Sequence, residues 1–379
     1  METLVMSQNE KTFAFIIHPI QIKKDVARKF PFLGKVLSEP VINWASQFFP
    51  PLYISEITGV TSQETGETIK GWFLAVPYTP PTMLKLPINQ VYNKIVAAGK
   101  KAEALGAKTM GLGAFTSVVG DAGKTIADRL DIAVTTGDSY TVALAIDALY
   151  EAAKLMGINP KEATVAVVGA TGAIGKACSQ LLAKSVGKLV LVGRRQDATE
   201  AVRELCTGKG AKEVTASVNI HDIYDADLII TVTSAVNTVI EPKHLKPGAV
   251  VLDVARPRDV SLKVIKERDD VLVIEGGMAE VPGVDMDFNF NFGLPAKRAF
   301  ACMAETMALA LEGIFVDYTI GRDLELSRIE EISTIATKHG FKLAGLRSFE
   351  HAVTDETVSI VRERANDTRK TWSPSFGQI

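Results

Sequence analysis

Residues Ala163–Gly175 read Ala-Thr-Val-Ala-Val-Val-Gly-Ala-Thr-Gly-Ala-Ile-Gly. The apolar, β-branched run Thr164–Val168 predicts a fully buried strand, and it breaks at once into a glycine-rich turn. A helix-like run, KACSQLLAKSV, follows and ends near Gly187. Strand, glycine turn and helix in that order are the context of a dinucleotide-binding fingerprint. In it Gly169 allows the tight turn, Gly172 lets the backbone approach a pyrophosphate, and Gly175 lets the helix pack closely on the strand. Thr171, Ala173 and Ile174 complete a turn that presents the helix N-terminus to the phosphates.

The next strand, Lys188–Val192, ends in Gly193-Arg194-Arg195, about 20 residues beyond the glycines, where an NAD site carries an acidic residue for the ribose hydroxyl. Two arginines suit the extra 2′-phosphate of NADP, because guanidinium offers a planar, always-charged fork to phosphate oxygens. Read without the preceding motif they are a solvated basic turn. Strands and helices then alternate: Glu213–Val218, Leu228–Val232, Ala249–Asp253 and Val271–Ile274 continue the series to six. The pattern predicts an α/β fold with a doubly wound parallel Rossmann sheet. The crevice outside the strand ends selects Thr233, Ser234, Ala255 and Gly276-Gly277 as loops near cofactor or substrate.

Over the 379 residues, 47% hydrophobic and 23% charged side chains are the composition of an ordinary globular protein of about two domains. A net charge of −2 lacks the basic excess of a nucleic-acid binder. Cys178, Cys206 and Cys302 make neither an even-numbered framework nor a CxxC pair, which points away from disulfide scaffolds and zinc ribbons and towards a reducing cytoplasm. No basic-then-apolar leader opens the sequence, and Phe13–Ile17 is too short to span a bilayer, so a soluble protein is expected. No metal site is expected.

Ahead of the fingerprint, Phe13–His18 predicts a first strand, and Leu52–Val60 with Thr68–Val76 a hairpin. Between them lies an aromatic-rich stretch with Phe30, Phe32, Trp44, Phe48 and Phe49, which reads either as core packing or as the lining of an apolar pocket. Ile88–Leu105 predicts a helix closed by Gly106, and Lys108–Val119 a strand-like run in which Gly111 and Gly113 mark a close backbone approach. A helix starting at Asp138 or Ser139 leads to Gly157. Pro295 suits the first turn of a helix that carries Cys302, and a second helix spans Ser327–His339. The expected organisation is an N-terminal α/β substrate domain over 1–158, the Rossmann domain over 159–294, returning helices over 295–347 that complete the first domain, and a tail over 348–379, mobile or used in oligomer contacts. Cys302, among alanines, reads alone as a buried small hydrophobe. On a helix that returns across the mouth of a cleft it reads as a thiol facing the nicotinamide.

Five motifs, Gly113-Ala-Phe-Thr-Ser117, Thr135-Thr-Gly-Asp-Ser139, Val167-Val-Gly-Ala-Thr-Gly-Ala-Ile-Gly175, Glu275-Gly-Gly277 and Phe300-Ala-Cys-Met-Ala-Glu305, resemble in order and spacing those of the long-chain acyl-[acyl-carrier-protein] reductases. The resemblance runs from about Phe13 to Phe341. It departs in the segment PYTPPTMLKLP, at Asp253-Val-Ala-Arg256 and beyond Leu346. It implies NADPH-dependent conversion of a fatty acyl thioester to a fatty aldehyde, with Cys302 as the acylated nucleophile and Gly169, Gly172 and Gly175 holding the cofactor. Such a thiol needs a lowered pKa, for which Arg298, four residues before it, is a candidate, and Thr116 and Ser117 are candidate donors to an oxyanion. Each has a plain alternative, a solvated basic residue and a capped strand end. The implied partners are a long-chain acyl thioester and an acidic acyl carrier protein, with Lys23-Lys24, Arg28-Lys29 or Lys100-Lys101 as docking charges, and a homo-oligomer is compatible with the sequence. The rival readings are a shikimate-like or amino-acid-type NADP dehydrogenase, although the Asn-Val-Thr-x-Pro-x-Lys element is missing from the first domain, and an NADP-binding sensor without turnover.

Overall fold

The computed structural model describes residues 10–235, 237–349 and 351–372. The chain divides into two compact units, one of Met1–Thr141 with Ala279–Lys342 and the other of Val142–Met278 with Leu343–Ile379. The expected boundary at 158/159 lies beyond the helix Asp138–Met156, whereas the division falls inside that helix, after Thr141.

The first unit is built on a mixed five-stranded sheet. Its strands are β1 (Thr12–Ile17), β2 (Leu52–Thr61), β3 (Thr68–Ala75), β4 (Thr109–Leu112) and β5 (Ala133–Thr135), in the order β2-β3-β1-β4-β5. The β2-β3 pair is the antiparallel hairpin expected of Leu52–Val60 and Thr68–Val76, and the remaining neighbours are parallel. The helix Ile88–Ala104 buries Val91, Ile95, Ala98 and Ala102, an i, i+4, i+7, i+11 stripe. Lys108–Val119 is not one strand: β4 stops at Leu112, Ala114 takes a left-handed φ of 48°, and Phe115–Val118 forms a short helix. The glycines do mark a close approach. The helix Ala301–Glu312 packs on β1 and β4, and a Cβ at Gly111 would overlap the Thr306 hydroxyl. Ten of the helix's twelve residues are buried, so it is the covering layer of this sheet.

That helix starts later than Pro295 suggests. Lys297 has a φ of 58°, which no helical residue can adopt, and its carbonyl accepts from the Val281 amide at 2.9 Å, so Arg298–Phe300 is extended. The aromatic segment forms three short helices, Ile22–Lys29, Pro31–Val36 and Glu39–Ser46, and neither expectation for its rings is met: Phe30, Phe32, Trp44, Phe48 and Phe49 are exposed.

The second unit carries β6 (Thr164–Val168), β7 (Lys188–Val192), β8 (Glu213–Ser217), β9 (Leu228–Thr231), β10 (Val250–Asp253) and β11 (Leu272–Glu275). They lie in the order β11-β10-β9-β6-β7-β8 with every neighbouring pair parallel. This is the doubly wound arrangement, with its switch point between β6 and β9. The segment from 348 is not a loose tail as far as residue 372. Thr354 caps the helix Asp355–Arg369 by accepting from the Thr357 amide at 3.2 Å, and Val358, Val361 and Ala365 are buried. Residues 373–379 lie outside the described residues. Among the described residues no helix is long and apolar enough to cross a membrane.

Candidate active site

In the second unit the expected nucleotide loops share the C-terminal edge of the sheet. Gly169 has a φ of 86°, and a Cβ there would meet the Val232 carbonyl oxygen at 2.8 Å. A Cβ at Gly175 would overlap the Gly169 carbonyl oxygen, which fixes how closely the helix Ala173–Leu182 sits on its strand. Gly172, exposed at the N-cap of that helix, has only open space and the Gly169 oxygen at 3.4 Å around the Cβ position. Thr171 is exposed beside it, with Ala173 and Ile174 half-buried in the first turn. The turn is therefore a cradle whose floor is closed by missing side chains and whose mouth, at a helix N-terminus, is open to an anionic group.

Arg194 and Arg195 stand exposed at the end of β7, and neither forms an ion pair among the described residues. Two free guanidinium groups at the expected ribose position fit a 2′-phosphate. Across the switch point, Thr233 is fixed by Asp259: its amide and hydroxyl donate to that carboxylate at 2.9 and 2.5 Å, and Thr231 donates a third hydrogen bond at 2.6 Å. Asp259 is the anchor of this loop, and no sequence signal singled it out. Ser234 is exposed, and Ala255 is buried with its amide donating to Asp253 at 3.1 Å.

In the first unit three motifs from distant parts of the chain close on one thiol. Cys302 is the second residue of the helix Ala301–Glu312, where amide groups have no partner within the helix. A Cβ at Gly137 would overlap Cys302 Cα and Cβ, so the Thr135–Ser139 turn is built against the cysteine and tolerates no side chain there. Three residues on, Glu305 is fully buried and holds that turn. It accepts from Thr135 Oγ1 at 2.5 Å, Thr319 Oγ1 at 2.8 Å and the Tyr140 amide at 2.8 Å.

The electrostatics differ from the expectation. Burial, with the Asp138 carboxyl as the next cause, pushes the Cys302 thiol up to about 12, while the Met303 and Ala114 amides draw it back. Burial and neighbouring Glu305 raise Asp138 to about 8, so at neutral pH it is held as the acid. Burial also raises Glu305. Among the described residues no cation lowers the thiol's pKa: Arg298, in its extended segment rather than one helical turn below Cys302, is paired with Glu280 at 2.7 Å. The groups that favour an anion here are backbone amides.

Thr116 and Ser117 lie in the short helix beside Ala114, and both hydroxyls are engaged, Thr116 Oγ1 donating to the Gly113 carbonyl at 2.8 Å and Ser117 Oγ to the Ala114 carbonyl at 2.7 Å. They brace the turn that holds Ala114 in its left-handed conformation and so aim its amide. His18, at the end of the first predicted strand, is a further member. Its Nε2 accepts from the Phe115 amide at 2.9 Å, Nδ1 faces the Pro19 carbonyl at 3.2 Å, and burial lowers its pKa to about 4, leaving a neutral ring that secures the same turn. Among the described residues no His, Cys, Asp and Glu cluster suits a metal ion.

Comparison with known proteins adds the following. The model of the shikimate / quinate 5-dehydrogenase family matches residues 151–275, which span the parallel sheet. The chain is 30% identical over 342 residues to the long-chain acyl-[acyl-carrier-protein] reductase of Synechococcus elongatus, covering 84% of this chain and 94% of that protein. It is also 30% identical over 356 residues to aminotransferase PigE of Serratia sp., covering 91% of this chain but spanning only 41% of that protein's length. Among solved structures, the nucleotide-binding domain of glutamyl-tRNA reductase from Thermoplasma volcanium matches 37% of this chain and 86% of its own at 19% identity, with a TM-score of 0.25.

Proposed function

Since the chain belongs to the long-chain acyl-[acyl-carrier-protein] reductase family, as a divergent member, we propose that it reduces a long-chain fatty acyl thioester to the fatty aldehyde through an acyl-enzyme on Cys302. The observation that carries this reading is the fit of Gly137 against Cys302. A turn with no room for a side chain, locked by a buried carboxyl three residues beyond the thiol, is an expensive way to surround a merely structural cysteine. The cofactor is NADP(H), for which the Gly169–Gly175 cradle and the Arg194-Arg195 pair are the binding groups; when bound it supplies the hydride.

Cys302 attacks the thioester carbonyl carbon, forming a new carbon–sulfur bond, and its proton leaves with the expelled carrier thiol. The oxyanion that develops lies at a helix N-terminus, where the Ala114 amide is the donor that the strained turn presents. Reduction of the acyl carbon by bound cofactor would break its bond to Cys302 Sγ and release aldehyde, and the sulfur, returned as thiolate, takes up one proton. Asp138, protonated at neutral pH, is an acid next to the glycine that packs on the Cys302 backbone. The three cysteines, all free thiols, fit a reducing cytoplasm. The acyl carrier is an acyl carrier protein or coenzyme A. Lys100 is a poor docking charge, since Glu103 and Asp131 already neutralise it at 2.8 and 3.0 Å.

Incubation with long-chain acyl thioester and NADPH, followed by gas chromatography, should yield fatty aldehyde in step with NADPH oxidation. NADPH binding without aldehyde from any acyl length or carrier would remove this reading. The dehydrogenase alternative would then lead, because the family model over 151–275 covers the nucleotide sheet common to both. Cofactor choice gives a separate check. Replacing Arg194 and Arg195 by serine should raise the KM for NADPH by roughly tenfold to a hundredfold, the worth of one or two charge-assisted hydrogen bonds, with the KM for NADH unchanged. Equal effects on the two cofactors would place the arginines elsewhere than at the 2′-phosphate.

A further inference from the structure

The aromatic segment has no role in the site described, and its surface is unlike the rest of the molecule. Phe32 is 74% exposed, Trp44 65% and Phe48 73%, a degree of exposure that leaves these rings projecting rather than seated in a groove. Val41, Trp44 and Phe48 recur at i, i+3 and i+7 along the helix Glu39–Ser46 and the turn after it, so they form one face, and the Trp44 and Phe48 rings touch edge to face at 5.3 Å between centroids. The helix Ile22–Lys29 packs against both other short helices and carries Lys23 and Lys24 on exposed positions. Between Ile20 and Pro50 there are five basic residues against two acidic ones, in a chain whose net charge is −2. The helix itself is pinned from beneath. Asn43 Oδ1 accepts from Thr79 and Thr82 at 3.3 and 3.1 Å, and Lys94 Nζ donates to the Phe49 carbonyl at 2.8 Å.

We propose that this face, with Val41, Trp44 and Phe48 as its inserted side chains and the exposed Lys23 and Lys24 on the adjoining helix, docks on an anionic lipid bilayer. Projecting aromatic rings beside lysines are the composition of an interfacial membrane anchor, in which apolar side chains enter the headgroup boundary and basic ones meet lipid phosphates. A second copy of the chain is a poorer occupant, because an isologous contact would set a net-positive segment against itself. An acidic protein would satisfy the charge as well, and the vesicle assay below separates it from a bilayer. The inference is independent of the reaction assigned to Cys302.

The test is co-sedimentation with phosphatidylcholine vesicles, with and without phosphatidylglycerol, comparing wild type, Trp44→Glu with Phe48→Glu, and Trp44→Ala. Wild type should partition to the anionic vesicles, lose that partition at high salt and show a blue shift in tryptophan emission that Trp44→Ala abolishes, Trp72 being buried and Trp372 stacked on Tyr224. The double variant should lose at least about tenfold in partition and Trp44→Ala should lose less, both with unchanged thermal melting, as expected of surface positions. Wild type remaining in the supernatant with both vesicle types overturns the proposal. So does a double variant that sediments like wild type, or a gel-filtration shift showing that Trp44→Glu breaks a dimer. If the variants lose only turnover with an acyl carrier protein while vesicle binding persists, the face belongs to that protein instead.

Discussion

Cys302→Ala should take up no acyl group. When the wild type is incubated with a long-chain acyl thioester in the absence of NADPH, its intact mass should rise by one acyl group, and NADPH should then discharge the adduct as aldehyde. The alanine variant should show neither change, and its aldehyde formation should fall at least about a thousandfold, the usual consequence of removing a covalent nucleophile. Its thermal stability should be near that of wild type, because the substitution removes one sulfur from a position that Gly137 already crowds. The other two thiols are no substitutes: Cys178 and Cys206 are wholly buried, and burial pushes them up to about 12 and about 11. Cys302 is the half-buried one among the three. Burial pushes its own thiol up to about 12 as well, so in the proposed reaction a substrate carbonyl held at the helix N-terminus, rather than a resting thiolate, would supply the reactivity. An adduct of equal size on the variant would move the nucleophile elsewhere.

Asp138→Asn should change the shape of the stability profile against pH. In the native protein the carboxyl keeps its proton up to about pH 8, while in the unfolded chain it gives it up at about 4. Between those limits the native state binds the extra proton, so this group makes stability fall as pH rises, by about 1.4 kcal/mol per pH unit, and contributes no further slope above about pH 8. Asparagine has no proton to hold. The stability difference in favour of the variant should therefore widen by several kcal/mol between pH 4 and pH 8 in urea titrations. A companion effect falls on the thiol. With one negative charge less beside it, Cys302 should be alkylated faster by iodoacetamide at alkaline pH. Parallel pH profiles for the two proteins would mean that the carboxyl is already ionised at neutral pH.

How far the sequence discloses this structure depends on whether a segment's neighbours are near in the chain. The six parallel strands are short β-branched runs between glycines and charges, and each is found within a residue or two of its expected place. The nucleotide turn is likewise a local affair of Gly169 and Gly175. The approach to the thiol is not local. Pro295-Ala-Lys-Arg has the composition of a helix start, but pairing with Val281 and the Glu280 carboxylate draws the chain into an extended form, and Lys297 turns left-handed to allow it. Arg298 is thereby removed from the thiol, and no pattern in its own neighbourhood announces this. The acids that do surround Cys302 come from two segments over 160 positions apart, although the Thr135–Ser139 motif hinted at one of them. By contrast, the helix Asp355–Arg369 was missed although its signal is local: Thr354 before a Val358, Val361, Ala365 stripe is a cap and an amphipathic period, overshadowed by the charges and hydroxyls around it.

The chain visits the first unit twice, leaving it at Thr141 and re-entering at Ala279. On the ribosome this sets an order of assembly. All six strands of the nucleotide sheet have emerged before the helix Ala301–Glu312 exists to cover β1 and β4, so the older sheet waits with an apolar face open while a younger one completes itself. Glu305 cannot gather Thr135 until the thiol beside it has been synthesised, and Thr319 must follow before the third donor is in hand. Cys302 is thus among the last groups to find its place, and a nascent chain carries no finished thiol site while its first sheet is still waiting for a roof.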